Sequence, residues 1–270
     1  MKAKKYLGQH FLNSTKAINS IIKAGQLGQT DLVLEIGPGK GVLTTALLNT
    51  ECTVFAIEKD WEMVDILKEK FKKEIRNKKL ILILGDVLEI DILQIISKHS
   101  KPKNKKYKLI ANIPYYITGE IIRKFLEIDL KPEKIVLLVQ KEVAKRITAR
   151  DGKESILSLS VKFFGTPKYI ETVKAGSFSP PPKVDSAILS IDKIENRDSK
   201  ISKMFFEVVK NGFAHKRKLL IKNLTQVSMP RATLDTERVG DIFKKCKIPL
   251  QTRAEDLKLD NFICITKELL

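Results

Sequence analysis

Short apolar runs alternate with longer amphipathic stretches along the first part of the chain. The apolar runs, at residues 31–37, 52–58, 79–86, 108–114 and 134–140, are rich in Ile, Leu and Val and predict strands. Helical patterns lie between them, at residues 40–49, 60–76 and 119–127. Nearly continuous apolar strands separated by helices are typical of a parallel sheet that is covered on both faces. We therefore predict a doubly wound α/β fold whose ligands bind at the carboxyl ends of the strands.

The pattern changes after residue 176. Three successive prolines, at residues 180–182, interrupt any regular element, and residues 184–191 alternate in the way a late strand does. No strand pattern follows, and helical patterns occupy residues 200–214, 216–224, 236–246 and 253–269. We predict an α/β domain at residues 1–195, which includes a basic N-terminal arm, and a small all-helical domain at residues 196–270.

The composition is that of a globular chain, since 43% of the 270 residues are hydrophobic and 30% are charged. The three cysteines form no CxxC pair, which argues against a zinc ribbon, a redox dithiol and a disulfide framework. The three scattered histidines give no ready-made metal site. No apolar run approaches the ~18 residues of a membrane span, and the lysine-containing start lacks the apolar core of a signal peptide. We expect a cytoplasmic protein without a metal or a membrane partner.

The net charge of the chain indicates a polyanionic binding partner. Fifty Lys and Arg residues against 32 Asp and Glu residues give a net charge of +18. Such a surface attracts polyanions and gains affinity by releasing their counterions. A general preference for lysine in the source genome is the alternative explanation. The lysines cluster at residues 98–108 and 200–222, and this clustering favours binding to nucleic acid.

A glycine loop marks the candidate cofactor site. Gly37-Pro38-Gly39-Lys40-Gly41 lies where a predicted strand ends and a helix begins, so its backbone can approach a ligand closely. The loop alone fits a plain tight turn equally well, and its spacing favours neither a pyrophosphate nor a P-loop. Glu58 ends the next strand, where a carboxylate can accept hydrogen bonds from both ribose hydroxyls. Asp86 ends the third strand and can bind an adenine amine or cap the following helix. The three strand ends together indicate S-adenosylmethionine.

The candidate catalytic segment, Asn112-Ile113-Pro114-Tyr115, ends the fourth strand beside this site. The N6 amine of adenine is a weak nucleophile, and two acceptors that hold its N–H groups expose the nitrogen lone pair. The Asn112 side-chain carbonyl and the Ile113 backbone carbonyl, held by Pro114, are candidates for these acceptors. Tyr115 can stack on a base that has been flipped into the site. A strand terminus with a capped turn and a core tyrosine is the structural alternative.

Further candidates contact the target base or the RNA backbone. Phe178 precedes the triple proline and is a candidate for the opposite face of the base, with a position in the core as its alternative. Lys183 is a candidate phosphate ligand. A predicted helix begins at His215, and its basic residues suit the phosphates of structured RNA, although an ordinary exposed helix face is the alternative. Its candidate RNA-binding residues are Lys216, Arg217, Lys218 and Lys222.

Over essentially its whole length the chain resembles the small-subunit ribosomal RNA adenine dimethyltransferases. The ordered motifs that carry the resemblance are KKYLGQHFL, LEIGPGKGVLT, AIEKD, GDVL, ANIPYYIT, QKEVAKRI, FSPPPKVDSA and FAHKRKLLIKNL. The resemblance implies a Rossmann-like, S-adenosylmethionine-dependent methyltransferase sheet with a helical RNA-binding domain. It also implies dimethylation at N6 of two adjacent adenosines near the 3′ end of the rRNA, in the 30S precursor particle. Nothing in the sequence demands more than a monomer.

The resemblance also assigns residues. It places the target-adenine pocket at Asn112, Tyr115 and Phe178. The resemblance assigns residues of the basic arm as cofactor contacts, whereas the sequence by itself predicts a flexible tail there. Relatives often have Asn where His10 stands. The cofactor contacts implied or inferred are His10, Leu12, Gly37, Gly39, Glu58, Asp86, Val87 and Asn112.

Two other functions stay open. The related large-subunit rRNA methyltransferases that confer antibiotic resistance share NIPY and the FxPxPKV pattern, but FAHKRKLLIKNL fits the small-subunit enzymes better. A ribosome-assembly or transcription factor that has kept the fold and lost catalysis belongs to a different class. Against it, every catalytic motif position holds a competent residue type.

Overall fold

The computed structural model describes residues 9–99, 106–225 and 235–270. Residues 1–8, most of the predicted basic arm, and residues 100–105 of the lysine-rich segment lie outside the described residues. The chain divides into two compact units. The first comprises the described residues up to Ala144 together with Thr166–Ile194, and the second comprises Lys145–Gly165 together with Glu195–Leu270.

A seven-stranded sheet is the centre of the first unit. The described strands are, in chain order, β1 (Phe11–Leu12), β2 (Leu32–Ile36), β3 (Thr53–Glu58), β4 (Leu80–Leu84), β5 (Lys108–Asn112), β6 (Lys134–Gln140), β7 (Thr166–Val173), β8 (Phe178–Ser179) and β9 (Ser186–Asp192). The sheet order is β4-β3-β2-β5-β6-β9-β7, and β1 pairs with β8 separately. Strands β2 to β6 are parallel, whereas β9 is antiparallel to both β6 and β7. The prediction of a doubly wound α/β fold is confirmed.

The chain winds outward from β2 in one direction and from β5 in the other. The crevice between the carboxyl ends of these two neighbouring strands is therefore the topological switch point, where open α/β sheets bind ligands. Strands β2, β3, β5 and β6 have almost wholly buried interiors, which is why their sequences are continuously apolar. Burial of each Leu, Ile or Val side chain there contributes about 1.5–3 kcal/mol.

Helices cover both faces of the sheet, and one of them differs from its prediction. The described helices are α1 (Thr15–Gly25), α2 (Val42–Leu48), α3 (Trp61–Lys70), α4 (Lys72–Arg76), α5 (Ile92–His99), α6 (Thr118–Glu127) and α7 (Lys141–Ile147), which spans the division between the units. The single helix predicted at residues 60–76 is interrupted at Phe71, whose backbone leaves the helical region at φ −112°. The Phe71 ring is buried in the hydrophobic core.

The second unit is helical, but it is not confined to the end of the chain. Its helices are α8 (Ile156–Phe164), α9 (Ser199–Gly212), α10 (Leu220–Thr225), α11 (Thr236–Lys245) and α12 (Leu259–Glu268). Phe163 of α8 stacks on Phe205 of α9 with ring centroids 4.0 Å apart. Contacts thus group residues 145–165 with the helices that follow residue 195, whereas the sequence predicted a single division at residue 195.

Three further predictions for this unit are wrong in detail. Residues 216–219 form a turn, so the helix that was predicted from residue 216 begins only at Leu220. Residues 253–258 hold one 3-10 turn before α12 begins. Cys246 and Cys264 form a disulfide, contrary to the prediction from cysteine spacing. Their separation of 18 residues hides the pairing in the sequence, but the packing of α12 brings the two Cα atoms to 5.8 Å.

The glycine loop gives a test of this fold. Gly41 has a φ of +71°, and a Cβ atom there would lie 2.5 Å from the Phe71 ring and 2.8 Å from Leu67. We expect Gly41→Ala to lower the free energy of unfolding by about 2–4 kcal/mol, because left-handed strain adds to overpacking. Gly119→Ala is the matched control, since a Cβ at Gly119 meets no atom within 4 Å. Urea unfolding of the two variants measures the difference, and equal stabilities would contradict this account of the loop.

Candidate functional site

A cleft of about 400 Å³ opens at the carboxyl ends of β2, β3, β4 and β5. Its lining includes residues 9–12, 35–40, 57–59, 85–88 and 112–117. These stretches come from four strand ends and from the described part of the N-terminal arm. All the sequence-predicted cofactor residues are therefore brought together at one place, along with the segment from Asn112 to Tyr115.

The glycine loop forms one wall of the cleft with bare backbone. Gly37 and Gly39 have φ values of +65° and +52°, a conformation that side-chain-bearing residues rarely adopt. A Cβ atom at Gly39 would lie 3.0 Å from the ring of Phe11, so the close approach of these two parts of the chain also requires glycine. The loop thus presents a compact backbone surface against which a ligand can lie.

Glu58 connects the loop to the end of β3. The carboxylate is buried, its Oε2 accepts a hydrogen bond from Gly39 N–H at 3.1 Å, and its Oε1 accepts one from Asp60 N–H at 3.0 Å. Burial raises the pKa of Glu58, and the backbone hydrogen bonds oppose that rise. A carboxylate oxygen can accept more than one hydrogen bond, so Glu58 keeps acceptor capacity toward the cleft.

Asp86 follows β4 and lies on the cleft wall beside a cation. Its Oδ2 is 2.7 Å from Lys59 Nζ, and its Oδ1 accepts a hydrogen bond from Leu88 N–H at 2.9 Å. The hydrogen bond from Lys59 is the main cause that lowers the pKa of Asp86. Asp86 is therefore an ionised acceptor on the cleft wall.

Glu35 is a functional candidate that the sequence reasoning missed. It lies within β2, is only 1% exposed, and accepts a hydrogen bond from the Thr44 hydroxyl at 2.7 Å. Burial raises the pKa of Glu35 to about 8, the hydrogen bond from Thr44 opposes the rise, and the charge of Glu58 adds to it. The available signal was a single carboxylate in an otherwise apolar strand, which pays a desolvation penalty unless it has a special environment.

Asn112 ends β5 and is fixed by the N-terminal arm. Its Nδ2 donates a hydrogen bond to the backbone carbonyl of His10 at 3.1 Å, which leaves Oδ1 as an acceptor. His10 Nδ1 in turn donates to the carbonyl of Pro180 at 2.8 Å, and β1 pairs with β8 through Leu12 and Phe178. From residue 9 the arm is therefore a structured wall of the cleft rather than a floppy tail.

Tyr115 lies beside Asn112 and is held from two sides. Its hydroxyl is 2.6 Å from Ser186 Oγ at the start of β9, and its ring stacks with His10 at a centroid distance of 6.0 Å. Burial raises the pKa of Tyr115, and the Ser186 hydrogen bond opposes the rise. The ring is thus a neutral, oriented aromatic surface at the cleft.

Phe178 lies in the hydrophobic core. It is 4% exposed, belongs to the hydrophobic core together with Leu12 and Ile188, and is absent from the described residues that line the cleft. The structure therefore places it where the alternative interpretation did, in the core. The pairing of β1 with β8 explains this position, because it sets Phe178 directly opposite Leu12 of the arm.

The predicted RNA-binding residues lie outside the cleft. Lys183 is exposed in the loop after the prolines, and the basic residues of the helical unit are exposed on the turn before α10 and on α10 itself. Asn223 holds that turn, because its Nδ2 donates to the carbonyls of Gly212 and His215 at 2.6 and 3.2 Å. The basic residues so presented are Lys216, Arg217, Lys218 and Lys222.

Several cleft residues escaped the sequence analysis because their types are common in loops and helix starts. No metal site appears among them, and over the described part of the chain no cluster of three or more His, Cys, Asp or Glu side chains can hold a metal ion. No helix within residues 9–99, 106–225 and 235–270 is long and apolar enough to cross a membrane. The cleft residues that were missed include Gln9, Phe11, Glu35, Lys59, Tyr116, Ile117 and Glu120.

Comparison with known proteins gives a consistent result. A family model described as "Ribosomal RNA adenine dimethylase" matches residues 1–269. A protein of Dehalococcoides mccartyi named "Ribosomal RNA small subunit methyltransferase A" is 44% identical over 230 residues, which cover 84% of this chain and 76% of the relative. A protein of the same name from Fusobacterium nucleatum is 36% identical over 271 residues, which cover 98% and 97%.

Two solved structures are similar along nearly their whole length. A dimethyladenosine transferase from Plasmodium falciparum matches with a TM-score of 0.76 and 27% identity, over 95% of this chain and 96% of that one. The 23S rRNA methyltransferase ErmE matches with a TM-score of 0.75 and 23% identity, over 96% and 99%. The second likeness shows the shared fold alone. The predicted Rossmann-like methyltransferase fold is confirmed by this pair.

The buried carboxyl of Glu35 predicts a pH effect on stability. The folded protein keeps the proton of Glu35 up to about pH 8, whereas the unfolded carboxyl loses it near its ordinary value of 4.5. Between these values the folded state binds more protons, so its free energy of unfolding falls as pH rises, by up to about 1.4 kcal/mol per pH unit. We expect Glu35→Gln, which keeps the acceptor for Thr44, to remove this part of the slope.

Urea unfolding between about pH 5 and about pH 9 measures the effect as the difference between wild type and variant. Glu69→Gln, at an exposed carboxylate on α3, is the matched control. The stability advantage of the wild type over Glu35→Gln should shrink up to about pH 8 and then level off. A difference that stays constant with pH would show that Glu35 is ionised throughout.

Proposed function

The chain belongs to the ribosomal RNA adenine dimethylase family, and we propose that its cleft binds S-adenosylmethionine beside an adenine of small-subunit rRNA. The protein is an rRNA adenine methyltransferase, as predicted from its motifs. One observation carries the proposal for the site. A bare glycine loop, two strand-end carboxylates and an oriented amide oxygen line the same cleft.

The residues present fit S-adenosylmethionine. Glu58 lies beside the glycine loop with acceptor capacity for the two ribose hydroxyls, and Asp86 is an ionised acceptor for the adenine amine. The volume of about 400 Å³ is within the range of small-molecule sites. When bound, S-adenosylmethionine supplies an electrophilic methyl group. Gly37, Gly39 and Val87 line the cleft and would contact the ligand through backbone and apolar surface.

Asn112 and Ile113 orient the amine that is methylated. The Oδ1 atom of Asn112 and the backbone carbonyl of Ile113 each accept one N–H of the adenine N6 amine, so the nitrogen lone pair points at the methyl carbon. Bound S-adenosylmethionine would supply the methyl group, so that a bond would form between N6 and the methyl carbon as the carbon–sulfur bond breaks, and N6 would lose a proton to solvent. No strong base is needed, because the nitrogen becomes acidic as it is alkylated.

Tyr115 and the arm hold the target base. The Tyr115 ring is fixed by Ser186 and by stacking with His10, so its stacking surface is already oriented before a base binds. His10 and Leu12 keep the arm against the rest of the cleft. Because Phe178 is in the core, we propose no direct contact between Phe178 and the base.

The proposed contacts with the rRNA backbone lie outside the cleft. The basic turn before α10 is exposed and is held by Asn223, so its cations are presented in a fixed arrangement. Structured RNA offers phosphates and shape rather than readable base edges, and such a turn suits it. We propose that Lys216, Arg217, Lys218, Lys222 and, separately, Lys183 contact rRNA in the 30S precursor particle.

We place this reaction in the cytoplasm, where the precursor particle is assembled, and assign it to a monomer, because one chain supplies every residue of the cleft. Two adjacent adenosines near the 3′ end of the rRNA are the proposed targets. The large-subunit rRNA methyltransferases are the less favoured alternative, since the likeness to ErmE lies in the fold. A factor without catalysis is disfavoured by the intact set of cleft residues.

A transfer assay with labelled S-adenosylmethionine tests the proposal. The purified protein is expected to label undermethylated small-subunit particles, with the label recovered as dimethyladenosine, and to leave large-subunit rRNA unlabelled. Label on large-subunit rRNA would select the alternative enzyme. Binding to the particle without any label would select the non-catalytic factor.

Asn112→Ala tests the role of the oriented acceptor. We expect at least a 10²-fold loss of methylation rate, because the aligned oxygen is removed, while RNA binding is retained. Asn77→Ala, at an exposed asparagine after α4, is the matched control. Single-turnover methylation measures the rates, and thermal melting confirms that the variant folds. A variant with wild-type rates would show that another group orients the amine.

The basic turn is tested by replacing Lys216, Arg217 and Lys218 with Gln. We expect weaker RNA binding and a slope of log Kd against log salt that is shallower by about 2–3, with unchanged S-adenosylmethionine affinity. The matched control replaces the two lysines and one arginine of α4, all exposed, at Lys72, Lys73 and Arg76. Fluorescence anisotropy over a salt series measures the slopes. If the two triple variants have equal slopes of log Kd against log salt, RNA binding depends on the net charge of the protein and not on the position of these residues.

A further inference from the structure

Tyr116 is a large aromatic side chain that the reaction described above does not use. It lines the cleft, yet it is 65% exposed. Its hydroxyl makes no hydrogen bond with any residue that the structure describes. An exposed aromatic ring at the rim of a binding cleft is apolar surface that only a ligand can cover.

The local backbone separates Tyr116 from Tyr115. Both residues lie in the 3-10 turn Tyr115–Ile117, which follows Pro114. Successive side chains in such a turn diverge by about 120°, because it has about three residues per turn. Tyr115 is tied to Ser186 and His10, whereas Tyr116 faces solvent. The two rings therefore point in different directions, and a base that stacks on Tyr115 leaves the Tyr116 ring available for another partner.

The charges around Tyr116 favour a neutral partner. Lys59 interacts electrostatically with Tyr116, but the ammonium group of Lys59 is already paired with Asp86 at 2.7 Å. Glu120 adds a carboxylate to the same cleft lining. A phosphate stacked against Tyr116 would meet the carboxylates of Asp86 and Glu120 and a lysine, Lys59, whose ammonium group is already paired. The flat face of a nucleobase carries no charge and can stack on the phenol ring.

Flipping the target adenosine creates a partner of this kind. Once one base leaves the stack, the next base loses a stacking neighbour and exposes an aromatic face. Base stacking on an aromatic side chain contributes roughly 1–3 kcal/mol, so a platform at the rim would offset part of the cost of flipping. For two adjacent target adenosines, the base next to one target is the other adenosine.

We propose that Tyr116 is a stacking platform for the second adenosine of the target pair while the first occupies the cleft. This inference rests on the proposed function, since it needs an adenosine pair as substrate. It assigns Tyr116 to recognition of the neighbouring base and not to the transfer itself. The hydroxyl of Tyr116 has no part in the contact, so a phenylalanine suffices at this position.

The test combines protein variants with modified RNA. The variants are Tyr116→Ala, Tyr116→Phe and, as a matched control, Trp61→Ala, since Trp61 is 61% exposed but is absent from the described cleft lining. The substrates are small-subunit particles that contain the normal adenosine pair or an abasic nucleotide in place of the non-target adenosine. Methylation of the remaining adenosine gives kcat/KM, anisotropy gives the RNA affinity, and calorimetry gives the S-adenosylmethionine affinity.

With the normal pair, Tyr116→Ala is expected to lower kcat/KM about 5- to 150-fold, while Tyr116→Phe and Trp61→Ala stay near wild type. The abasic substitution should lower the wild-type value by a similar factor and should have little further effect on Tyr116→Ala. S-adenosylmethionine affinity should be the same in all proteins. Losses of kcat/KM that do not add would show that Tyr116 and the neighbouring base act through one contact, and this result would support the stacking platform.

Two outcomes would overturn it. If Tyr116→Ala and Trp61→Ala have the same kcat/KM on particles with the normal adenosine pair, the Tyr116 ring does not contribute to methylation. A loss in Tyr116→Ala that is as large on the abasic substrate would show that the ring does not contact that base. The wild-type rate with the normal pair reports the proposed function separately, because its absence would refute the enzyme assignment. In that case, anisotropy still shows whether the neighbouring base is bound, because the affinity of the wild-type protein for the normal RNA can be compared with its affinity for the abasic RNA.

Discussion

The buried carboxylate of Glu58 is the interaction on which the rest of the site depends. It accepts the N–H of Gly39 through one oxygen and the N–H of Asp60 through the other, so the glycine loop and the start of α3 are positioned by the end of β3. Desolvation works against this anion, and the backbone hydrogen bonds stabilise it. Burial raises the pKa of the neighbouring Glu35 to about 8, so Glu35 keeps its proton at neutral pH and adds no negative charge beside Glu58. The glycine loop, Glu58 and the start of α3 are thus parts of a single hydrogen-bonded arrangement.

The chemistry of the site depends on orientation more than on strong acids or bases. Asn112 is held by the backbone of His10, and Tyr115 by Ser186, so both groups that would meet the adenine are fixed by residues distant in sequence. An acceptor that is already aligned loses little freedom when the amine binds, which is how a weak nucleophile can be used without a general base. In the proposed function, the basic turn in the helical unit would contribute affinity for a polyanion and would take no part in this alignment.

The sheet and most of the cleft were predictable because their signals are local. Continuous apolar runs predicted β2 to β6, and polar residues at the ends of those runs predicted Glu58, Asp86 and Asn112. The misses have long-range causes. The burial of Phe178 follows from the pairing of β1 with β8, which joins residues far apart in the chain, and the strand β7 was unforeseen because its exposed edge carries mixed residues. The Cys246–Cys264 pair likewise depends on how two helices pack. Glu35 is the exception, since its signal was local: it is a single carboxylate in an otherwise apolar strand.

The helical unit is assembled from two separate segments, and this has a consequence for synthesis on the ribosome. Helix α8 leaves the exit tunnel well before α9, yet Phe163 of α8 finds its stacking partner in Phe205 of α9. Its apolar face therefore lacks its native partner until β7, β8, β9 and then α9 have been translated. A nascent chain that stalls in this interval would leave the Phe163 ring without that partner. Slow translation between residues 165 and 212 would prolong this exposure of aromatic surface.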